Sequence, residues 1–332
     1  MTGSTAPLLE MLWEKDDPAN VIASRFGFSD ADAVGQWVTT TVGDHWGLEV
    51  EAVTRIVMSD HNALAWITAP SGLFLAKWSI LPEKFPRLSA LAQLTAWLGE
   101  QGLPVSEPVP SIDGQIQVEI GHEISISLQR QINGELLDVT DKDQVQAAGA
   151  SLAKLHAALV QYPDTQDVAA LAHPPKPLAT RITRWLESQH SDALATSTRE
   201  KLLLLAANSP TEHLSAQLVH GDFRAANILC TGQEIAAVLD FEEARFDYPI
   251  MELAQSAVML GTQFRDWGPV PTHVHAWLLD GYESERPLTA VEAGWWDILV
   301  LWFSFLLVPA EEDPTGWGSA AFALLARMEA SR

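Results

Sequence analysis

The sequence predicts an α+β protein of two lobes, a small β-rich one followed by a large helical one. Three observations lead there. Between about residues 50 and 80, short apolar runs rich in strand formers alternate with tight-turn residues. Beyond residue 140 the apolar residues recur with helical spacing. The chain has 332 residues, 47% of them hydrophobic, which is ample for the cores of two lobes. A cleft is expected between the lobes, with the boundary near residues 130–135. No internal repeat or low-complexity tract is evident.

Residues 1–45 read as a helical extension, 46–132 as the first lobe and 133–332 as the second. In the extension, Leu8, Leu9, Leu12 and Trp13 form one apolar group and Val34, Trp37 and Val38 another. Strand patterns follow. Arg55–Met58 leads into the polar turn Ser59-Asp60-His61-Asn62, Ala63–Ile67 continues, Pro70-Ser71-Gly72 turns the chain, and Leu73–Trp78 completes the third strand. Residues 86–100 predict an amphipathic helix with Leu88, Leu91, Leu94 and Leu98 on one face. Gln115–Val118 and Ile124–Leu128 read as two further strands, and Gly134 marks a bend after them. In the second lobe, Leu152, Leu155 and Leu159 make one helical stripe, Ile182, Trp185 and Leu186 a second, and Leu202–Leu205 a third. Helices are expected near 249–262, 271–282, 288–308 and 318–330.

Composition excludes several function classes. Lys plus Arg total 20 against 43 Asp plus Glu, a formal net charge of −23, which argues against a nucleic-acid-binding surface. The acidity serves solubility or attracts a cationic substrate. At physiological salt the Debye length is about 8 Å, so only acids near a site bear on the second reading. The single cysteine, Cys230, forbids an internal disulfide and points to a reducing, cytoplasmic setting. Met1–Ala6 carries neither a basic nor an apolar segment, so no signal peptide is expected. The longest apolar run, Ile298–Ala310, is interrupted by Ser304 and Pro309 and falls short of the ~18 residues of a membrane span. A buried core helix is expected there, and no membrane partner.

The chemistry concentrates between residues 220 and 243. His220-Gly221-Asp222-Phe223-Arg224-Ala225-Ala226-Asn227 is followed by Asp240 in Val238-Leu239-Asp240-Phe241. Phosphoryl transfer needs a carboxylate to orient the attacking hydroxyl, and oxygen ligands to hold magnesium on the nucleotide phosphates. Between Asn227 and Asp240 the pattern is a hairpin: Ile228–Cys230, the turn Thr231-Gly232-Gln233, then Ile235–Leu239. Pairing those runs brings Asn227 and Asp240 together at the open end, with Asp222 on the loop just before. Cys230, inside the first run, is expected as a buried structural thiol.

These residues resemble the aminoglycoside phosphotransferase and choline kinase group, which shares the bilobal protein-kinase-like fold. Leu152-Ala153-Lys154-Leu155-His156 and the strand Phe74-Leu75-Ala76-Lys77 belong to the same resemblance. It implies a small-molecule kinase using ATP and Mg2+. Asp222 would be the catalytic carboxylate, Asn227 and Asp240 the metal ligands, and Lys77 a contact to the α- and β-phosphates. Ser59, Asp60, His61 and Asn62 would cover the phosphates. The backbone from Arg130 to Ile132 would hydrogen-bond the adenine edge. Lys77 is also open to reading as a snorkelling surface lysine. His220 is expected to brace the loop through its ring nitrogens, and His156 to be a satisfied core histidine. Arg224 either binds phosphate or substrate at the catalytic site or pairs with a nearby acid.

Three features depart from the family pattern. The phosphate-covering turn has no glycine. The helix after Lys77 is apolar near Leu91, where a carboxylate partner is expected, with Glu83 before it and Glu100 after. Glu252 stands where the family usually has Asp.

The acceptor is expected to be a small hydroxyl compound. Glu242 and Glu243 follow the metal aspartate directly, Asp247 is close, and Glu311-Glu312-Asp313 is a second acidic cluster. Acids beside the acceptor would favour an amine-bearing alcohol; a solvated acidic loop is the alternative. Gly281–Thr289 resembles a segment of type II homoserine kinases, as does the spacing of Leu81-Pro82 ahead of a helix leading to Gly102-Leu103-Pro104. Homoserine or another amino alcohol is thus as credible an acceptor as an aminoglycoside. His273 and His275 flank Val274 but lack the partners of a zinc site. Of the late tryptophans, Trp295, Trp296 and Trp302 have core spacing. A nucleotide-binding regulatory module without turnover is the rival reading, and a metal-dependent hydrolase a weaker one.

Overall fold

The computed structural model describes residues 6–168, 175–188, 194, 196–209, 214–264, 267–309 and 312–330. Two compact units divide the chain, Met1–Asn133 and Gly134–Arg332.

The first unit contains β1 (Leu8–Met11), α1 (Pro18–Ser24), α2 (Ala31–Trp46), β2 (Ala52–Met58), β3 (Asn62–Ala69), β4 (Gly72–Ser79), α3 (Phe85–Glu100), β5 (Val118–Ile120) and β6 (Ile124–Arg130). Its six strands form one sheet in the order β1-β2-β3-β4-β6-β5. All neighbours are antiparallel except β1 and β2, where Met11 faces Met58 in parallel register. Leu8–Met11 is therefore strand and not helix. The run is short, lies between Pro7 and the α1 start at Asp17-Pro18, and carries no decisive period, so pairing with β2 sets its conformation. The strand expected at Gln115–Val118 begins only at Val118. Ser111 explains the delay: its amide bonds Gln115 O at 2.7 Å and its hydroxyl accepts from the Gln115 amide at 3.0 Å, closing a turn.

Capping starts both early helices. The Asp17 side chain accepts from the Asn20 amide ahead of Pro18, and the Asp30 side chain accepts from the Ala33 amide. Helix α2 buries Val34, Val38 and Val42 in the same core as β2, β3, β4 and β6. Trp78 lies at its centre, with ring centroids 5.3 Å from Trp37 and 6.4 Å from Phe26.

The second unit runs through β7 (Glu135–Leu136), α4 (Lys142–Leu159), α5 (Thr165–Val168), α6 (Leu178–Glu187), α7 (Thr196–Ala207), β8 (Gln217–Val219), β9 (Ile228–Thr231), β10 (Glu234–Val238), β11 (Arg245–Asp247), α8 (Pro249–Met259), α9 (Thr272–Glu285), α10 (Ala290–Leu306) and α11 (Trp317–Ala330). Strands β9 and β10 form the expected hairpin, with β7 on the outer side of β9. Strands β8 and β11 pair with each other, flanking the catalytic-motif segment. Leu152, Leu155 and Leu159 are buried as their spacing requires. Of Leu202–Leu205 only the first and last are buried, because the run exceeds the width of one helix face. Trp295 and Trp302 are core residues of α10. Among the described residues no helix is long and apolar enough to cross a membrane; Ala310, at the end of the apolar run, lies outside them.

Helices α4 and α9 make the most extensive helix contact of the second unit. Gly281 sits at their crossing, where a Cβ would collide with the backbone of Gln146. This close approach carries His156 on α4 and Tyr282 on α9 to each other. Gly281→Ala is expected to destabilise the fold by about 1–3 kcal/mol, because backbone and not a pliable side chain must yield. A lowered urea midpoint with unchanged slope would be the signature; an unchanged midpoint would contradict the packing.

Candidate active site

The catalytic-motif loop begins where β8 ends and is fixed one peptide at a time. The Glu252 carboxylate, in the first turn of α8, accepts the His220 amide at 3.1 Å and the Gly221 amide on its other oxygen. The Gly221 carbonyl accepts from Arg245 Nη1 at 3.1 Å and Gln255 Nε2 at 3.2 Å. Gly221 has a φ of +89°, and a Cβ there would strike the Glu243 carbonyl and the Arg245 guanidinium. Only glycine suits this position. The Asp222 amide donates to His220 Nδ1 at 3.2 Å, so the ring proton sits on Nε2, which donates to the Leu239 carbonyl at 2.8 Å. His220 is fully buried and ties the loop to the end of the hairpin.

The Asp222 carboxylate is thereby held at the edge of this frame. Arg224 Nε donates to both of its oxygens, at 2.9 and 3.0 Å, and Asn227 Nδ2 donates to Oδ2 at 2.8 Å. Asn227 Nδ2 also bonds the Asp222 carbonyl at 2.9 Å. Its Oδ1 is then the atom left to face a ligand. The carboxylate oxygens together accept at about four sites, and three are taken here, so one position remains for an incoming hydroxyl. Asp240 follows Leu239, whose amide bonds the Asn227 carbonyl at 2.8 Å, so the hairpin sets the two residues side by side. Asp240 holds a left-handed φ of 60°, uncommon for a side-chain-bearing residue and typical of ligand-directed positions. Glu242 and Glu243 lie in the next turn, closed by the Ala244 amide on Phe241 O at 2.9 Å; Glu243 is exposed and Glu242 partly so.

Beneath the loop, a buried polar chain supports Glu252. His156 Nε2 donates to it at 2.7 Å, and His156 Nδ1 lies 2.8 Å from the Tyr282 hydroxyl. Burial pushes the Glu252 carboxyl up, but the His156 hydrogen bond, the electrostatic influence of the neighbouring His156 and His220 rings and the Gly221 amide together hold it below its ordinary value. Burial, first of all, raises the Tyr282 hydroxyl, which stays protonated. Arg286 stands over the Tyr282 ring at 5.7 Å and bonds Glu292, which closes the capping box of α10, at 2.7 Å. The loop that carries Asp222 is thus connected to α4, α8, α9 and α10.

The remaining expected site residues belong to the first unit. The Ser59 amide and hydroxyl reach Asn62 O at 2.8 and 3.3 Å, Asp60 pairs with His61 at 2.8 Å, and Arg25 bonds the Ser59 carbonyl at 3.3 Å. Lys77 is on β4, opposite Leu64 and Ser127. Arg130, at the end of β6, lies over the Phe74 ring at 5.0 Å, and Ile132 is partly buried just beyond. Between them, the Gln131 amide is spent on Leu73 O at 3.0 Å.

Several other candidates resolve as structure. Burial, helped by Asp141, raises the Cys230 thiol to about 11, which leaves it inert. His273 is exposed while His275 is buried, and burial lowers the latter to about 4. No cluster of three acids, histidines or cysteines suited to a metal exists among the described residues. Asp313 accepts from the amides of Gly316 and Gly318 at 2.9 and 2.6 Å, shaping the entry to α11. Its neighbour Glu312 is exposed, and Glu311 lies outside the described residues. Sequence reasoning missed Arg245 and Gln255, the two side chains on the Gly221 carbonyl. It also missed Trp267, whose ring lies 5.4 Å from the Arg224 guanidinium. No local motif marks any of the three.

This order of strands and helices, with its His-Gly-Asp loop, is that of the kinase-like fold. The chain belongs to the phosphotransferase enzyme family, APH, whose family model matches residues 59–288. A homoserine kinase of Methylobacillus glycogenes is 27% identical over 207 residues, which span 61% of this chain and 61% of that relative. Among solved structures, an amicoumacin kinase in complex with AMP-PNP and Ca2+ superposes with a TM-score of 0.61 at 14% identity, covering 89% of this chain and 93% of its own. A microcompartment-associated aminopropanol kinase gives 0.56 at 16% identity, covering 88% and 94%.

The depressed Glu252 predicts a sign for acid stability. Its contribution is fully present above the ordinary value of 4.5 and is lost as pH falls through the lower folded value. Glu252→Gln, which turns an amide donor toward a backbone donor, should destabilise the protein by about 1–3 kcal/mol at neutral pH. It should also flatten the fall in melting temperature below pH 4.5. An unchanged acid limb in this variant would contradict the assignment.

Proposed function

We propose that the protein moves the γ-phosphoryl group of ATP to a hydroxyl of a small amine-bearing molecule. The observation that carries this reading is the Asp222 carboxylate, fixed by Arg224 and Asn227 on an immobilised loop with one acceptor position left over. In the transfer, the acceptor oxygen forms a bond to the γ-phosphorus and the bond to the β,γ-bridging oxygen breaks, releasing ADP. Asp222 orients the hydroxyl and takes its proton, which passes to solvent. Most of the rate comes from positioning and from neutralising charge.

The donor set suits magnesium. Asn227 Oδ1 and the Asp240 carboxylate are hard oxygen donors on neighbouring backbone positions, and magnesium takes few protein ligands, the rest being phosphate and water oxygens. When bound, the ion would screen the phosphate charge. Lys77 would contact the α- and β-phosphates, Ser59 to Asn62 would cover them, and the backbone at Arg130 and Ile132 would meet the adenine edge. ATP supply makes the cytoplasm the natural setting. Glu242 and Glu243 support an acceptor carrying an ammonium group. The names of two similar proteins, a homoserine kinase and an aminopropanol kinase, denote amino alcohols as acceptors and support the same class.

Coupled ADP release across amino alcohols, sugars and aminoglycosides tests the reading. Acceptor-dependent turnover is expected; nucleotide binding with no turnover would assign a regulatory module instead. Asp222→Asn should lower turnover by about 10²–10⁴ with nucleotide affinity retained, and unchanged turnover would remove Asp222 from its role. Asp240→Ala should abolish magnesium-dependent nucleotide binding in calorimetry, and normal affinity would count against it as a ligand.

A further inference from the structure

Arg224 is held in an unusual way for a residue beside a catalytic carboxylate. Its Nε is committed to Asp222. Nη1 has one long contact, 3.4 Å to the Thr262 carbonyl, and Nη2 has no partner among the described residues. The face of the guanidinium is covered by Trp267, 5.4 Å away. The Arg224 side chain is 12% exposed and that of Asp222 21%. Trp267 is 42% exposed, far more than the other two, yet it is anchored: its carbonyl accepts the Trp317 indole N–H at 2.6 Å. A half-exposed tryptophan on a fixed backbone beside a catalytic loop is not explained by core packing. It orients a guanidinium whose outer N–H edge carries spare donors.

Resting on the phosphotransferase reading above, we propose that Arg224, seated on Trp267, binds a carboxylate of the acceptor. The acceptor is thus a hydroxy amino acid and not a simple amino alcohol or an aminoglycoside. The argument is one of charge and shape. A guanidinium presents parallel N–H groups that match the two oxygens of a carboxylate, and its cation–π contact keeps that plane fixed. A fixed cation two residues from Asp222 repels an ammonium at that spot. The ammonium of a zwitterionic acceptor is then left to the acids Glu242 and Glu243.

The test compares L-homoserine with two probes of like reach, homoserinamide, which lacks the negative charge, and 3-aminopropan-1-ol, which lacks the carboxyl group. The readout is the ratio of kcat/KM values within each variant. Partial misfolding, or damage to Asp222 itself, cancels in that ratio. The native protein should prefer the acid over both probes by about 10- to 100-fold, as expected for a hydrogen-bonded charged group. Arg224→Gln should bring the ratio to within about threefold of unity. Trp267→Ala should lower it partway, with Trp267→Phe restoring most of it through the remaining aromatic face. Equal use of the acid and the amide by the native protein would overturn the proposal while leaving the kinase reading intact. So would a ratio preserved in Arg224→Gln with only the KM for ATP raised, which would give the arginine to the donor phosphate. Turnover confined to carboxylate-free acceptors would overturn it as well. Absence of turnover with every acceptor, despite ATP binding, would instead remove the kinase reading on which the proposal stands.

Discussion

The backbone on either side of Gly221 is gripped from opposite sides, and the placement of the candidate catalytic carboxylate follows from that grip. Glu252 takes the amides of His220 and Gly221, while Arg245 and Gln255 take the Gly221 carbonyl. A carboxylate accepting two backbone donors in a buried site is well compensated, since each bond is stronger where water is excluded. The same bonds remove the loop's freedom. A side chain that must meet a hydroxyl oxygen at hydrogen-bond distance gains most from a backbone that does not move. Neither Asp222 nor Asn227 has to search for its position.

That rigidity is drawn from distant parts of the chain. Glu252 rests on His156, which rests on Tyr282, and the close crossing of α4 and α9 at Gly281 brings those two together. Arg286 and Glu292 continue the chain of contacts to the cap of α10. Buried polar groups are costly where they lack partners. Here the Glu252 and Glu292 carboxylates have their donors and the Tyr282 hydroxyl has its histidine, while Nη1 of Arg286 is buried with no hydrogen-bond partner among the described residues. A defect at any link therefore reaches the loop that carries Asp222.

Much of this was legible before any coordinates. The hairpin between Asn227 and Asp240 follows from two apolar runs about a turn, and the loop residues follow from the chemistry of phosphate transfer. The ring bonds of His220 and the burial of His156 were also expected from their neighbours. Leu8–Met11 misled because four residues are too few to show a period, so only partner β2 could decide. Arg245, Gln255 and Trp267 were invisible for a related reason. Each acts on residues 221–224 from a position set by β11, α8 or the segment before α9, and no local pattern encodes such a meeting. Glu252 stands where the family usually has Asp, and its two oxygens serve separate donors.

Hydrogen–deuterium exchange of the native protein, resolved at the amides of His220, Gly221 and Asp222, tests the grip on the loop most directly. All three amides have buried intramolecular acceptors, so they should exchange as slowly as the amides of strand β9, and only through large-scale unfolding. Exchange as fast as that of the exposed turn at Gly232 would mean that the loop opens on its own, and that Asp222 is not held where the structure has it.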